Sequence, residues 1–314
     1  MDHVPATSPT AGPAAPDAGP PRSSSGDRID VRILDDARRF GAEAGARLAA
    51  DPVGTNVIGS IVAAAATGGA ASGASWILAR CGADLVGVAM RTPPYPLHLP
   101  AMPDDVVAAI ARALHERGDV LPAATGDVRA TAVFVRHWNE LTGTGAILTI
   151  AEGIHVLGEF VPPSGVPGQA RPATVDDVDL VASWLADFHV EAHHGRPAPP
   201  ADLGGLIRRL ATGRILLWQD GGRPVSLAGW RPPAAGIGRV GPVYTPVRHR
   251  RHGYAAGVTA AATRAALAAG ADGVMLFTDL ANPTSNGVYA RLGYRLVREA
   301  SEWTFTPHAD HPGS

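Results

Sequence analysis

Short runs of alternating apolar and polar positions recur twice along this chain, about 140 residues apart. Ile77-Leu78-Ala79, then Val86-Gly87-Val88-Ala89-Met90-Arg91-Thr92-Pro93, predicts a strand, a short turn and a strand. Ile215-Leu216-Leu217, then Val225-Ser226-Leu227-Ala228-Gly229-Trp230-Arg231-Pro232, predicts the same, with Asp220-Gly221-Gly222 as the hairpin turn. Upstream of each hairpin a pair of aspartates, Asp35-Asp36 and Asp176-Asp177, precedes an amphipathic helix, where carboxylates complement the helix dipole. Two matches in register point to a duplication, with a period far too long for a solenoid.

The second half continues in a mixed order. A strand near Arg171 leads to a helix from Val175 to about Glu191 and another from about Asp202 to Ala211. After the hairpin come a strand Gly238–Thr245, an alanine-rich helix about Tyr254–Ala269, a strand Gly273–Thr278 and a helix Pro283–Leu292. Strands Tyr294–Arg298 and Glu302–Thr306 close the pattern. This predicts an α/β fold: tandem domains, each a mostly antiparallel twisted sheet with helices on both faces.

The composition sets limits on this picture. The chain has 314 residues, 46% hydrophobic and 18% charged, enough apolar content for two cores. Residues 1–27 are proline, alanine, serine and glycine with almost no large apolar side chain, so a disordered tail is expected there. The proline- and glycine-rich stretch 162–169 reads as a linker between a first domain, 28–161, and a second, 170–307, with a frayed end at 308–314. Residues 52–79 carry no charge but are too rich in glycine and serine for a membrane span, and no secretory signal is visible. They predict a helix from Asn56 to about Ala66 and then a flexible loop. A cytoplasmic protein without membrane attachment is the expectation. All 27 basic residues are arginines, which excludes Schiff-base chemistry, a pyridoxal-phosphate anchor and a Walker-type phosphate loop. The single cysteine, Cys81, excludes an internal disulfide and a cysteine zinc cluster, and its apolar setting predicts a buried, inert thiol. A net charge of −2 argues against nucleic acid as partner, and no metal-ligand pattern stands out around His189, Glu191, His193 and His194.

Two stretches carry chemistry. The first runs from Val243, Tyr244 and Thr245 through Arg250, Arg251, His252 and Gly253 to Tyr254, Ala255 and Ala256: strand, basic loop, helix start. Free N–H groups of a helix start, with glycine allowing close approach and arginines alongside, suit a pyrophosphate; a solvated basic helix start is the plainer alternative. The second is Asp279-Leu280-Ala281-Asn282-Pro283-Thr284-Ser285-Asn286-Gly287-Val288-Tyr289-Ala290-Arg291-Leu292-Gly293-Tyr294. On its own, Asn282 reads as a helix N-cap with Pro283 at the first helical position, Gly293 as a C-cap and Tyr289 as a core aromatic.

Taken together, Arg250-x-x-Gly253-x-Ala255 and Asn282, Tyr289, Gly293, Tyr294 resemble the paired signatures of the GNAT superfamily of acyl-CoA-dependent N-acetyltransferases over about residues 170–306. The resemblance implies acetyl-CoA as co-substrate and a primary amine as acceptor, with direct attack in a ternary complex. The backbone of Val243, Tyr244 and Thr245 would hold the pantetheine arm, and the amides from Arg251 to Ala256 the pyrophosphate. Asn282 and Asn286 would meet the cofactor arm, and Tyr289 would protonate the departing thiolate. Asp279 is the first candidate for the general base; capping the turn that follows it is its other reading, and a water chain is a third possibility. The second domain suggests a small-molecule acceptor; a monomer or homodimer is expected. The first half lacks both motifs. Asp104 and Asp105 stand where phosphates would dock, so it is expected to be a degenerate acetyltransferase-like domain. A non-catalytic acyl-CoA-binding regulatory module is the alternative function.

Overall fold

The computed structural model describes residues 28–66, 73–193, 195–198 and 202–307. The proposed tail 1–27, the glycine-rich loop at 67–72, His194 and the end 308–314 lie outside the described residues. The first half comprises β1 (Ile29–Leu34), α1 (Ala37–Ala50), α2 (Asn56–Ala66), β2 (Ser75–Cys81), β3 (Asp84–Arg91), β4 (Leu97–Leu99), α3 (Asp104–Glu116), β5 (Ala123–Asp127), α4 (Val128–Thr142) and β6 (Gly145–Leu157). The second repeats that order: β7 (Gln169–Pro172), α5 (Val178–Ala192), α6 (Leu203–Ala211), β8 (Ile215–Asp220), β9 (Arg223–Ala234), β10 (Ile237–Tyr244), α7 (Tyr254–Ala268), β11 (Gly273–Asp279), α8 (Pro283–Arg291) and β12 (Tyr294–Thr306).

The local reasons are those the sequence suggests. Asp36 caps α1 by accepting from the amides of Arg38 and Arg39, and Asp127 caps α4 from Arg129 and Ala130. Gly143 ends α4 with φ of 70°, a left-handed turn that glycine adopts without strain. The helix expected from Val175 starts with one 3-10 turn there, closed by Thr174 and Asp177, before α5 proper. Cys81 is half-buried at the end of β2 rather than enclosed, because it sits beside the hairpin turn to Asp84.

The twelve strands form one continuous sheet in the order β1-β2-β3-β4-β5-β12-β6-β11-β10-β9-β8-β7. Each half's last strand leaves its own half: β6 pairs antiparallel with β11, and β12 with β5. The two exchanged strands then pair with each other from Tyr294↔Leu157 to Thr306↔Gly145. Residues 294–306 are therefore one strand with two register shifts, not two strands, since both of its edges are hydrogen-bonded and the polar run Arg298-Glu299 does not interrupt pairing.

Alternation along β12 assigns the faces. Ser301 bonds Thr131 of α4 at 2.6 Å, while the neighbouring Glu302 bonds Arg196, just beyond α5. So α3 and α4, with α7 and α8, cover one face; α1, α2, α5 and α6 cover the other. The core of the first half includes Leu97, Ile110, Phe134 and Trp138, against which Phe305 of β12 packs at 6.1 Å from Trp138 and 6.5 Å from Phe134. Phe305→Ala should therefore destabilise the first half. The expected loss is about 2–3 kcal/mol, below the value for a fully buried phenylalanine. Hydrogen exchange in α4 should rise with it, and an unchanged α4 would contradict the exchanged topology.

Candidate functional site

Parallel strands β10 and β11 pair only over Ile237–Arg239 and Gly273–Met275. Beyond that point β10 runs to Tyr244 and β11 to Asp279 with no ladder between them. A β-bulge between Val240 and Val243 bends β10, and Pro242 has no amide hydrogen to offer a neighbour. The result is a gap between strands with unladdered main-chain groups on both sides. The first half has no such gap. Leu97–Leu99 pair with Ala124–Gly126 at the end of β5, and a Cβ on Gly126 would lie only 2.1 Å from the carbonyl oxygen of Leu99. Its α3 begins with Asp104, held by Arg129 at 2.8 Å, so that helix start is carboxylate-lined.

At the wide end of the gap lies the loop into α7. Arg251 and Gly253 both have positive φ, 69° and 81°, which turns successive N–H groups to one side. No side chain caps α7. The amides of Arg251, His252, Gly253, Tyr254, Ala255 and Ala256 have no partner among the described residues. Arg250 is already engaged: its Nη2 donates to both carboxylate oxygens of Glu191, at 2.6 and 2.7 Å, and its Nε donates to the carbonyl of Thr245. His252 stacks on Tyr254, whose hydroxyl donates to Asp220 at 2.5 Å. The valine of the linker, Val166, would sit 3.1 Å from a Cβ on Gly253, so the linker flanks this loop. Of the strand residues expected at the site, Tyr244 is buried against Trp184, and the Thr245 hydroxyl meets Ser226. Their side chains are occupied, and Val243 packs against the core beside α7.

At the narrow end is Tyr289, 8% exposed, in the same buried cluster as Val240 and Leu276, the first residues past the paired segment. Its ring meets Tyr294 edge-on at 6.3 Å. Burial pushes its pKa up to about 12, so it is a proton-bearing group at neutral pH. Its hydroxyl has no hydrogen-bond partner among the described residues. Asn282 caps α8 by accepting from the amide of Ser285 at 3.0 Å. Asn286 donates to the carbonyls of Asp279 and Leu280 at 3.2 Å, and its Oδ1 is buried with no partner. Asp279 accepts from the amide of Ala281, the turn-capping contact.

The residues beside Asp279 are not legible in its own segment of the chain. Register places Asp279 opposite Glu152 of β6, with Ala300 of β12 beyond it, on the face of α5. Burial, then Glu302 and Asp279, push Glu152 up to about 7. Glu302 is buried, and its carboxyl is pushed upward by burial while Arg196 at 2.9 Å opposes the rise. His193 stands 3.8 Å from Glu302, and its ring lies 4.1 Å from that of His189, tilted by 37°. Glu152 is a lone carboxylate in an otherwise mostly apolar strand, a signal that acquires meaning only once β6 is known to border β11.

A family model described as FR47-like protein matches residues 219–304, the segment holding the gap, the loop and α8. No curated protein matches the chain. Among solved structures, an acetyltransferase from the GNAT family of Colwellia psychrerythraea aligns at TM-score 0.55 and 10% identity, over 88% of this chain and 100% of its own. A GCN5-related N-acetyltransferase from Sphaerobacter thermophilus aligns at 0.56 and 15%, over 92% and 99%. A tandem GNAT protein from the clavulanic acid biosynthesis pathway aligns at 0.53 and 11%, over 90% and 100%. The fold is of the GNAT type. It is carried in tandem, and the gap of the GNAT-type second half is the open one.

The proton balance of Glu152 generates a test. Because its pKa is raised from 4.5 to about 7, the native state holds a proton that the unfolded chain has given up across that window. Stability from this group is therefore greatest below about pH 4.5 and falls as pH rises to about 7. Glu152→Gln should remove a fall on the order of 1–2 kcal/mol, read by urea unfolding at pH 5 and pH 8. Parallel pH dependences for variant and parent would contradict the raised carboxyl.

Proposed function

We propose that this protein is an acyltransferase of the N-acetyltransferase kind, moving an acetyl group from acetyl-CoA to a primary amine of a small molecule. The observation that carries the reading is the parting of β10 from β11 between Tyr289 at one end and six unpartnered amides at the other. The group to be held fits what the residues offer. A diphosphate suits the amides from Arg251 to Ala256. An amide-bearing arm suits the unladdered edges of Val243–Thr245 and the unpartnered Oδ1 of Asn286. With Arg250 paired to Glu191, the positive potential toward the diphosphate comes from the amides and from Arg251.

In the reaction the amine nitrogen bonds to the thioester carbonyl carbon, and the carbon–sulfur bond breaks as the tetrahedral centre collapses. Strand N–H groups along the gap stabilise the oxyanion. Tyr289 gives its proton to the leaving sulfur, a task for which a protonated phenol is suited, and the proton that the attached nitrogen sheds as the amide forms restores the phenol. The ammonium of the acceptor first loses a proton. Glu152, held near neutrality, suits that step better than Asp279, whose carboxylate is engaged by the turn amide of Ala281.

Thiol release from acetyl-CoA across a library of primary amines tests the reading, and no release with any amine would leave only binding of the acyl-CoA. Tyr289→Phe should lower kcat by about 100-fold or more with Kd for CoA within twofold. Equal kcat would remove Tyr289 as the acid. Gly253→Val forces a β-branched side chain into a left-handed position beside Val166, and should raise Kd for CoA at least tenfold in calorimetry. The acid limb of the kcat/KM profile, expected near pH 7, should vanish in Glu152→Gln and persist in Asp279→Asn.

A further inference from the structure

Three arginines at the narrow end of the gap have no role in that mechanism. Arg231 of β9 and Arg239 of β10 are directly opposite in register, on the face covered by α2 and α6. Arg209 of α6 joins them, its Nη2 2.8 Å from where a Cβ on Gly229 would lie, two residues before Arg231 on the same face. None of the three makes an ion pair with a carboxylate among the described residues, and the one hydrogen bond any of them donates is from Arg239 Nη2 to Ser60 of α2 at 3.2 Å. The first half closes the site. Asn56, one turn before Ser60 and 2% exposed, donates to the carbonyl of Ile237 and leaves its Oδ1 buried without a partner. His98 of β4, 8% exposed, likewise has an unpartnered Nε2.

Like charges facing one another across a strand pair repel, and desolvated cations without a counter-charge are costly. Burial first, then the neighbouring arginines, pull Arg239 down to about 9 and Arg209 to about 10. An oxyanion relieves both costs, and the planar guanidinium fork suits carboxylate and phosphate equally.

Position gives the anion a purpose. Arg239 is the last residue of β10 still laddered to β11, so it marks the point where the gap begins. It faces α2, whereas Tyr289 lies on the α7 face of the same point. Farther along the face of Arg239, four residues and ~13 Å up β11, stand Asp279 and Glu152. The face is thus cationic at one end and acidic at the other. We propose that Arg209, Arg231 and Arg239 bind a carboxylate or phosphate on the acceptor itself, so that the substrate class is an amine that also carries an oxyanion. This rests on the transferase reading for the acceptor's identity, while the anion site stands on the arginines alone. Acceptor and leaving-group acid then approach the thioester from opposite faces of the sheet.

Two experiments on the full chain separate the layers. Inorganic phosphate is titrated by calorimetry into the parent, Arg231→Gln and Arg209→Gln, each shown to be folded by its melting curve. With CoA filling the loop at Gly253, parent affinity should exceed that of either variant at least tenfold; equal affinities, or no binding, overturn the site. Thiol release is then compared for glucosamine against glucosamine 6-phosphate, and for phenethylamine against phenylalanine. A preference of at least tenfold in kcat/KM for one anionic partner, lost in Arg231→Gln, supports the proposal and shows whether phosphate or carboxylate is the group. Equal rates for both members of both pairs overturn the acceptor assignment. Arginine-dependent phosphate binding with no thiol release from any amine keeps the anion site and removes the transferase reading.

Discussion

The pairing of β6 with β12 is the contact on which everything else in this molecule hangs. It runs the length of both strands, and each partner carries the other half's sheet on its far edge. Neither half completes its sheet alone. The exchange also brings Glu152, a residue of the first half, beside Asp279 of the second, and sets Ser301 of the second against Thr131 of the first. A pair of independent domains joined by a linker would have left the acidic end of the site unbuilt.

Duplication followed by divergence accounts for the asymmetry between halves. The same β–α order encloses a strand pair in each, but the ladder of β4 with β5 spans the whole of β4, while that of β10 with β11 stops at Arg239 and leaves the rest of β10, to Tyr244, unladdered on that side. One bulge and one proline in β10 make the difference, together with a helix start lined by amides instead of aspartates. The first half contributes walls instead: Asn56, Ser60 and His98 stand against β10, and Asp51 pairs with Arg298 of β12.

Much of this was legible in the residues. The two hairpins, the caps at Asp36 and Asn282 and the order of helices follow from short-range periodicity and side-chain-to-backbone bonds, which depend only on neighbours in sequence. The loop at Gly253 and the helix bearing Tyr289 were legible for the same reason. The merging of two sheets was not, because alternation says which way a side chain points and not which strand lies beside it. Glu152 and the three arginines were invisible on those grounds: each is unremarkable in its own strand or helix, and their proximity is created by pairings between distant segments. Arg250 shows the converse. The loop motif implied a ligand contact, but Glu191, 59 positions earlier, takes its guanidinium.

The exchanged strand has a bearing on how the protein is made. β5 is complete when Asp127 leaves the ribosome, yet the neighbour that covers its edge ends only at Thr306. At ordinary rates of translation that is a wait of roughly ten to thirty seconds. Throughout it the first half presents an unsatisfied strand edge, the sort of surface that recruits chaperones or a neighbouring nascent chain. Polysomal crowding is therefore the setting in which this architecture is most exposed to pairing with the wrong copy.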